Sequence, residues 1–167
     1  MALRVGIVGC GAAGQAAALF MARGGHRVTV FERAAALGPV GAGLLLQPTG
    51  MSVLARLGAE EAVQTLAAPV TSLLGTTDRG RRVLDIAYGD LREGLCGYGV
   101  QRAALSGVLL DRMLGAEIEL RLGVTVCAAG PEGRTLVDSA GECHGPFELI
   151  VGADGGRSSL RSCFPGL

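Results

Sequence analysis

The 167-residue sequence contains no lysine, no asparagine and no tryptophan. Without asparagine there is no acceptor for N-linked glycosylation. All fifteen basic residues are arginine, and they balance fifteen acids for a formal net charge of zero. With aromatics at only 4%, the sequence shows no basic face with interleaved aromatic rings, so nucleic acid is not an expected partner. The five cysteines (Cys10, Cys96, Cys127, Cys143, Cys163) contain no Cys-x-x-Cys pair, and only His26 and His144 could assist them. No metal site is expected from that set. Odd in number, scattered and mostly in apolar neighbourhoods, the cysteines read as buried reduced thiols of a cytoplasmic protein.

One uncharged run does stand out. The eighteen residues after Arg4 resemble a signal peptide or membrane anchor in apolar character. They also hold four glycines and Gln15, and the strand-like "HRVTVFER" follows at once. The run therefore reads as a strand, a turn and a packed helix in a soluble protein with no membrane partner.

What the chain has in abundance is glycine, 28 residues, within a sequence that is 49% apolar. The length suits one domain with a real core. Leu3–Val8 reads as a buried strand, "GCGAAG" as a turn, and Ala12–Arg23 as an alanine-rich helix ended by Gly24-Gly25. Arg27–Phe31 is a β-branched second strand, which completes a βαβ unit. Residues 34–47 read as an extended loop, followed by helices from Pro48 to Leu57 and over Ala59–Leu66. Thr71–Thr77 and Arg82–Ala87 form two strands about a turn at Asp78-Arg79-Gly80, and Gly94–Gly99 leads into a helix over Ala103–Leu114. Short strands are expected at Glu117–Leu120, Val124–Ala129, Thr135–Val137 and Leu149–Val151, with turns at Gly130-Pro131 and Ser139-Ala140-Gly141. The class is mixed α/β with an antiparallel patch.

Gly9, Gly11 and Gly14 stand in G-x-G-x-x-G spacing between a strand and a helix. Gly9 permits the tight turn, Gly11 lets backbone approach a pyrophosphate, and Gly14 lets helix and strand pack. Ala13 joins them as a cofactor-binding candidate at the helix N-terminus, where the dipole favours negative charge. Glu32 follows Gly14 by eighteen residues, at the end of the second strand. A carboxylate there accepts ribose hydroxyls and repels a 2′-phosphate, which favours FAD or NAD over NADP. Arg33 is either a counter-charge to the pyrophosphate or a solvated arginine at a strand end. Cys10 fills space within the loop, with nothing nearby to activate its thiol.

A second glycine turn comes near the end. "GADGGRSSLR" (Gly152–Arg161) resembles the Asp-Gly signature of flavoprotein monooxygenases of the para-hydroxybenzoate hydroxylase and salicylate hydroxylase type, matching it at Gly152, Ala153, Asp154, Gly155, Ser158 and Arg161. "GPVGAGLLLQPTGMSVLARLG" (Gly38–Gly58) resembles that family's loop and helix beside the isoalloxazine, and "GYGVQRAALSGVLL" (Gly97–Leu110) its V-H-R-x-x-L helix start. Gln101 replaces the commoner histidine there, and Arg102 takes the place of the arginine that reaches the flavin.

The resemblance implies a Rossmann-like FAD-binding α/β domain over residues 1–66 and 98–167. A small antiparallel strand patch at 67–97 would belong to an incomplete substrate domain. Asp154 and Gly155 inherit an association with FAD and NAD(P)H. The implied activity is monooxygenation: FAD is reduced by NADH or NADPH, and dioxygen supplies one oxygen atom to a small aromatic, usually phenolic, substrate. The cofactor carries that chemistry, so no catalytic side chain is singled out. His26, His144, Tyr88 and Tyr98 are read as structural or solvent-facing rather than catalytic.

Family members are considerably longer, with a Gly-Asp turn and most of the substrate sheet beyond the position of Leu167. The chain therefore resembles the N-terminal part of such an enzyme, either a shortened form or one half of a split protein. Two other readings stay open. One is a catalytically incompetent nucleotide-binding chain that self-associates or pairs with a complementing chain through uncovered apolar edges. The other is a flavin-dependent dehydrogenase or reductase on the same fold.

Overall fold

The computed structural model of the chain describes residues 1–38, 41–130 and 132–163. In chain order the first elements are β1 (Arg4–Val8), α1 (Ala12–Arg23), β2 (Arg27–Glu32), β3 (Gly43–Leu46), α2 (Pro48–Arg56) and α3 (Glu60–Gln64). Next come β4 (Ala67–Val70), β5 (Ser72–Thr76), β6 (Arg82–Ala87), β7 (Gly97–Gln101) and α4 (Arg102–Leu114). The chain continues with β8 (Ile118–Leu122), β9 (Val126–Ala129), β10 (Leu136–Asp138), β11 (Cys143–His144) and β12 (Leu149–Gly152). These form two compact units, Met1–Gly38 with Leu109–Leu167, and Pro39–Val108.

The first unit holds a four-stranded, wholly parallel sheet in the order β12-β1-β2-β8. Strand β1 lies inside that sheet with four successive buried residues, as the continuous apolar run anticipates. Alanine-rich α1 packs on it, burying Ala18 and Leu19. The helix ends in a Schellman arrangement: His26 N–H donates to Met21 O (3.1 Å) and Gly25 N–H to Ala22 O (2.9 Å), with Gly25 at φ +78°. A second core cluster joins Val8 and Phe31 of the parallel sheet to Val126 of β9, Leu136 of β10, Phe147 and Leu160. Strands β9, β10 and β11 form an antiparallel sheet of their own.

The second unit contains the antiparallel sheet β3-β7-β4 and the separate hairpin β5-β6. Helix α2 starts with Pro48 in its first turn, where the missing N–H costs nothing. Among its buried residues are Met51, Leu54, Leu57, Val63, Tyr88 and Val100.

Several local expectations are corrected. The loop expected over 34–47 contains β3, which pairs with β7 from Gly43↔Gln101 to Leu46↔Tyr98. The approach to α4 is itself strand β7 despite its glycines. A Cβ on Gly97 would lie 3.1 Å from Leu46 O and 3.2 Å from the Tyr88 hydroxyl, so close packing excludes a side chain there. Strand β4 was not anticipated because it contains Pro69; it is an edge strand, where proline is tolerated. The helix expected over Ala59–Leu66 is only the five residues of α3. Of the thiols expected to be buried, Cys10 is, whereas Cys127 and Cys143 are exposed; all five are free. Pro131 of the expected turn, and Pro39 and Val40 of the flavin-loop resemblance, lie outside the described residues. No helix among the described residues is long and apolar enough to cross a membrane.

Candidate functional site: two glycine turns on adjacent parallel strands

Strands β1 and β12 pair in parallel with Val8 opposite Gly152, so the two chains leave the sheet side by side. Ala153 N–H donates to Val8 O at 2.8 Å, and the Asp-Gly turn then lies directly against the glycine turn. Gly9 has φ +100°, and a Cβ on it would sit 2.4 Å from Ala153 O and 2.8 Å from Asp154 Cα. Both its conformation and its neighbours demand glycine. A Cβ on Gly14 would fall 1.9 Å from Gly9 O, so its missing side chain makes room for the turn's own carbonyl. Gly11 differs from both. Its backbone is extended (φ −73°, ψ 179°), and a Cβ there would meet nothing within 4 Å.

The open space at Gly11 faces the start of α1, which has no side-chain cap and no acid in its first turn. Gly11 and Ala13 are exposed, while Gly14 is buried. Uncapped amides at the positive end of a helix dipole suit a pyrophosphate, and the space at Gly11 is where backbone and phosphate can approach. The residues present therefore fit the diphosphate of a dinucleotide.

Glu32 ends β2 beside this turn. Its Oε2 accepts Cys10 N–H at 2.8 Å and its Oε1 accepts Ala34 N–H at 3.0 Å. These bonds orient the carboxylate and leave lone pairs for hydroxyl donors. The strand is held in place from below, because Gly9 N–H donates to Phe31 O at 2.8 Å. Burial, with the Glu32 charge as the lesser cause, pushes the Cys10 thiol up to about 11, which leaves it unreactive. Arg33 is exposed and makes no hydrogen bond or ion pair among the described residues.

Asp154 turns its carboxylate onto its own loop. Ser159 N–H donates to Asp154 Oδ2 at 2.9 Å, and the Ser159 hydroxyl donates to Val126 O at 2.8 Å. Ser158 instead accepts Arg161 N–H at 3.2 Å, at the start of the 3-10 turn Leu160–Cys163. Gly155, at φ +88°, is exposed with open space where a Cβ would project. The structure thus brings together Gly9, Gly11, Ala13, Gly14, Glu32, Asp154 and Gly155. Arg102 belongs to the second unit, where its Nη1 lies 3.2 Å from the Cβ position of Gly41.

Three contributors were not foreseen. The Cys10 amide orients Glu32, but a backbone donor leaves no mark in a side-chain pattern. Ser159 clamps Asp154, a role legible only as the second serine of the doublet. The third is a polar network around the buried His144. His144 Nε2 lies 3.0 Å from Asp138 Oδ2 and Nδ1 lies 3.2 Å from Arg121 Nη1, while the ring packs on Phe31 at 4.9 Å between centroids. The His144 hydrogen bond holds the Asp138 carboxyl below its usual range. Asp138, Glu142 and His144 place ligand atoms within 4.8 Å of one another. Asp138 and Arg121 already occupy both ring nitrogens, so the group is a hydrogen-bonded brace beneath β2.

Comparison with known proteins agrees with this geometry. Residues 2–166 match the family described as "FAD binding domain". A 3-amino-4-hydroxybenzoate 2-monooxygenase of Streptomyces platensis is 32% identical over 98% of this chain and 42% of its own length. A FAD-dependent urate hydroxylase of Klebsiella pneumoniae is 27% identical over 93% of this chain and 41% of its own. The crystallised 2-methyl-3-hydroxypyridine-5-carboxylic acid oxygenase superposes with a TM-score of 0.83 at 27% identity, over 97% of this chain and 42% of that one. The chain thus spans about two fifths of the length of these relatives. With its two glycine turns in register and its match running nearly end to end, the chain belongs to the FAD binding domain family.

Proposed function

We propose that this chain holds FAD across its two glycine turns and is the flavin-binding part of an NAD(P)H-using aromatic hydroxylase. The supporting observation is the parallel register of β1 and β12, which seats the Asp154 turn against Gly9. In this reading the backbone at Gly9, Gly11 and Ala13, with Gly14 as spacer, receives the pyrophosphate, and Glu32 accepts the ribose hydroxyls. Arg33 balances phosphate charge, Arg102 reaches the flavin, and Asp154 with Gly155 lines the second side. Residues 1–66 and 98–167 hold the cofactor, and 67–97 supply substrate-covering strands. Bound FAD supplies the redox chemistry, taking electrons from NADH or NADPH and using dioxygen to hydroxylate a small phenolic ring. The protein's own residues bind, orient and exclude water. The relatives named for aminohydroxybenzoate and hydroxypyridine substrates support the aromatic class. Five free cysteines favour a reducing, cytoplasmic location.

The test is FAD titration followed by absorbance and fluorescence, and then NADH or NADPH oxidation with phenolic acids. Saturable FAD binding that weakens at least about tenfold in Glu32→Lys, a cost of roughly 1.4 kcal/mol, is expected. Unchanged affinity in that variant removes Glu32 from the site. Substrate-stimulated oxidation with hydroxylated product identifies a hydroxylase, and oxidation without product a reductase. A second reading, a binding chain that self-associates or needs a complementing chain, is favoured by the exposed Leu74, Val83 and Leu84 of β5-β6. Light scattering decides it: a clean monomer with hydroxylase turnover disposes of that reading.

A further inference from the structure

Strand β1 carries the glycine turn at one end and, about 16 Å away at the other, the exposed Arg4. Arg4 of β1 stands directly opposite Arg27 of β2 in the parallel ladder. Their backbones are therefore only about 4.8 Å apart, and like charges side by side on a sheet repel. Both line one cleft of about 240 Å³, together with Thr29, Phe31, Glu119, Arg121, His144 and the Gly145–Phe147 segment.

The neighbouring acids do not neutralise them. Glu148 accepts the backbone N–H of Arg4 on Oε2 at 2.7 Å, and its Oε1 faces Arg134 Nη2 at 3.6 Å. Glu119 accepts the Thr29 hydroxyl on Oε2 at 2.9 Å and Arg121 on Oε1 at 2.8 Å. Those bonds, Thr29 first and Arg121 second, hold its carboxyl below the usual range, so it stays an anion committed to Arg121. Arg121 also reaches His144 Nδ1, whose other nitrogen is taken by Asp138. With those pairs matched, the guanidinium groups of Arg4 and Arg27 are left with no hydrogen bond or ion pair among the described residues.

We propose that this cleft binds a small dianionic oxyanion: inorganic phosphate, or the phosphate end of a small phosphorylated molecule. Two uncompensated cations call for two negative charges. Two guanidinium forks on neighbouring strands, both lining this cleft, suit a tetrahedral phosphate, each able to donate paired N–H bonds to its oxygens. At about 240 Å³ the cleft is smaller than the roughly 300–1,000 Å³ of drug-sized ligand sites, which suits phosphate and excludes a dinucleotide. The ligand relieves the repulsion built into the ladder, so binding and fold stability are linked.

The experiment titrates the 167-residue chain with sodium phosphate at constant ionic strength by calorimetry, alongside thermal melts, with sodium chloride as the ionic control. Expected are a saturable one-site isotherm and a melting temperature that rises with phosphate and not with chloride. In Arg4→Gln and in Arg27→Gln, affinity falls about tenfold or more, the loss of one charge-assisted contact, while Arg27→Lys recovers part of it. Without phosphate, Arg27→Gln melts above the wild type, because one of the two repelling charges is gone. A glycerol 3-phosphate arm separates the sources: tighter binding than phosphate points to a phosphorylated molecule, and equal or weaker binding to the free ion. The glycine turn is the competing phosphate site, and it contains neither arginine. Binding undiminished in the Arg4→Gln/Arg27→Gln double variant, a chloride response equal to that of phosphate, or no saturable heat would each overturn the proposal.

Discussion

Strands β1 (RVGIV) and β6 (RVLDIA) are both short and apolar, and they end in opposite environments. In β1, Val5 and Ile7 are fully buried, whereas in β6 Val83 remains 59% exposed and Ile86 39%. Composition does not separate them; neighbours do. Strand β1 has a hydrogen-bonded strand on each side and α1 across one face. Strand β6 pairs with β5 alone, and a two-stranded ribbon buries little by itself. The lesson is that an apolar strand signals burial only when the sequence also supplies something to cover it.

The sharpest way to break this contrast is to empty the buried side. Phe31 is 1% exposed and touches both the His144 and Phe147 rings. Phe31→Ala is expected to cost about 3–5 kcal/mol in denaturant unfolding. A loss below about 1 kcal/mol would mean that the cluster beneath β2 does not hold the sheet.

Next in size is the glycine turn, where stability and binding separate between neighbouring glycines. Gly14→Ala forces a methyl group onto Gly9 O and should destabilise by about 1–3 kcal/mol or more. Gly11→Ala meets open space, so its melting temperature should stay put while FAD affinity drops. Equal stability losses in the two variants would show that the space at Gly11 is not reserved for a ligand.

A smaller effect concerns pH. Because Asp138 is held below its usual range by His144, it contributes stability present above the unfolded value of about 3.9 and lost as pH falls through the folded value. Asp138→Asn should lower stability at neutral pH and flatten the decline below about pH 4. An unchanged acid limb in urea unfolding would remove the brace from the account. Smallest of all is the exposed hairpin. Leu84→Ser should shift stability by no more than about 0.5 kcal/mol, and a loss approaching that of Phe31→Ala would abolish the contrast.

The βαβ unit was legible because its signals are local. The residues of β1, the alanines of α1 and the Gly24-Gly25 stop each act within a few positions, and α1 forms at the bounds expected, Ala12–Arg23. The second glycine turn was visible as a motif, and its strand β12 was anticipated within one residue. Strands β3, β4 and β7 were not, because Gly43 in β3, Pro69 in β4 and Gly97 and Gly99 in β7 disfavour strands locally. Pairing around β7 overrides that preference. The brace of Asp138, His144 and Arg121 joins residues from β8, β10 and β11, and no spacing rule announces it.

By itself, the sequence determined which segments turn, which helices form and where a carboxylate follows a glycine loop. These are properties of neighbouring residues and of backbone conformations that only glycine tolerates. Tertiary structure alone decided that Asp154 lies against Gly9, that the Cys10 amide aims Glu32, and that Arg4 faces Arg27. Each depends on the register in which distant strands pair, and register is set by packing of the whole sheet rather than by any one segment.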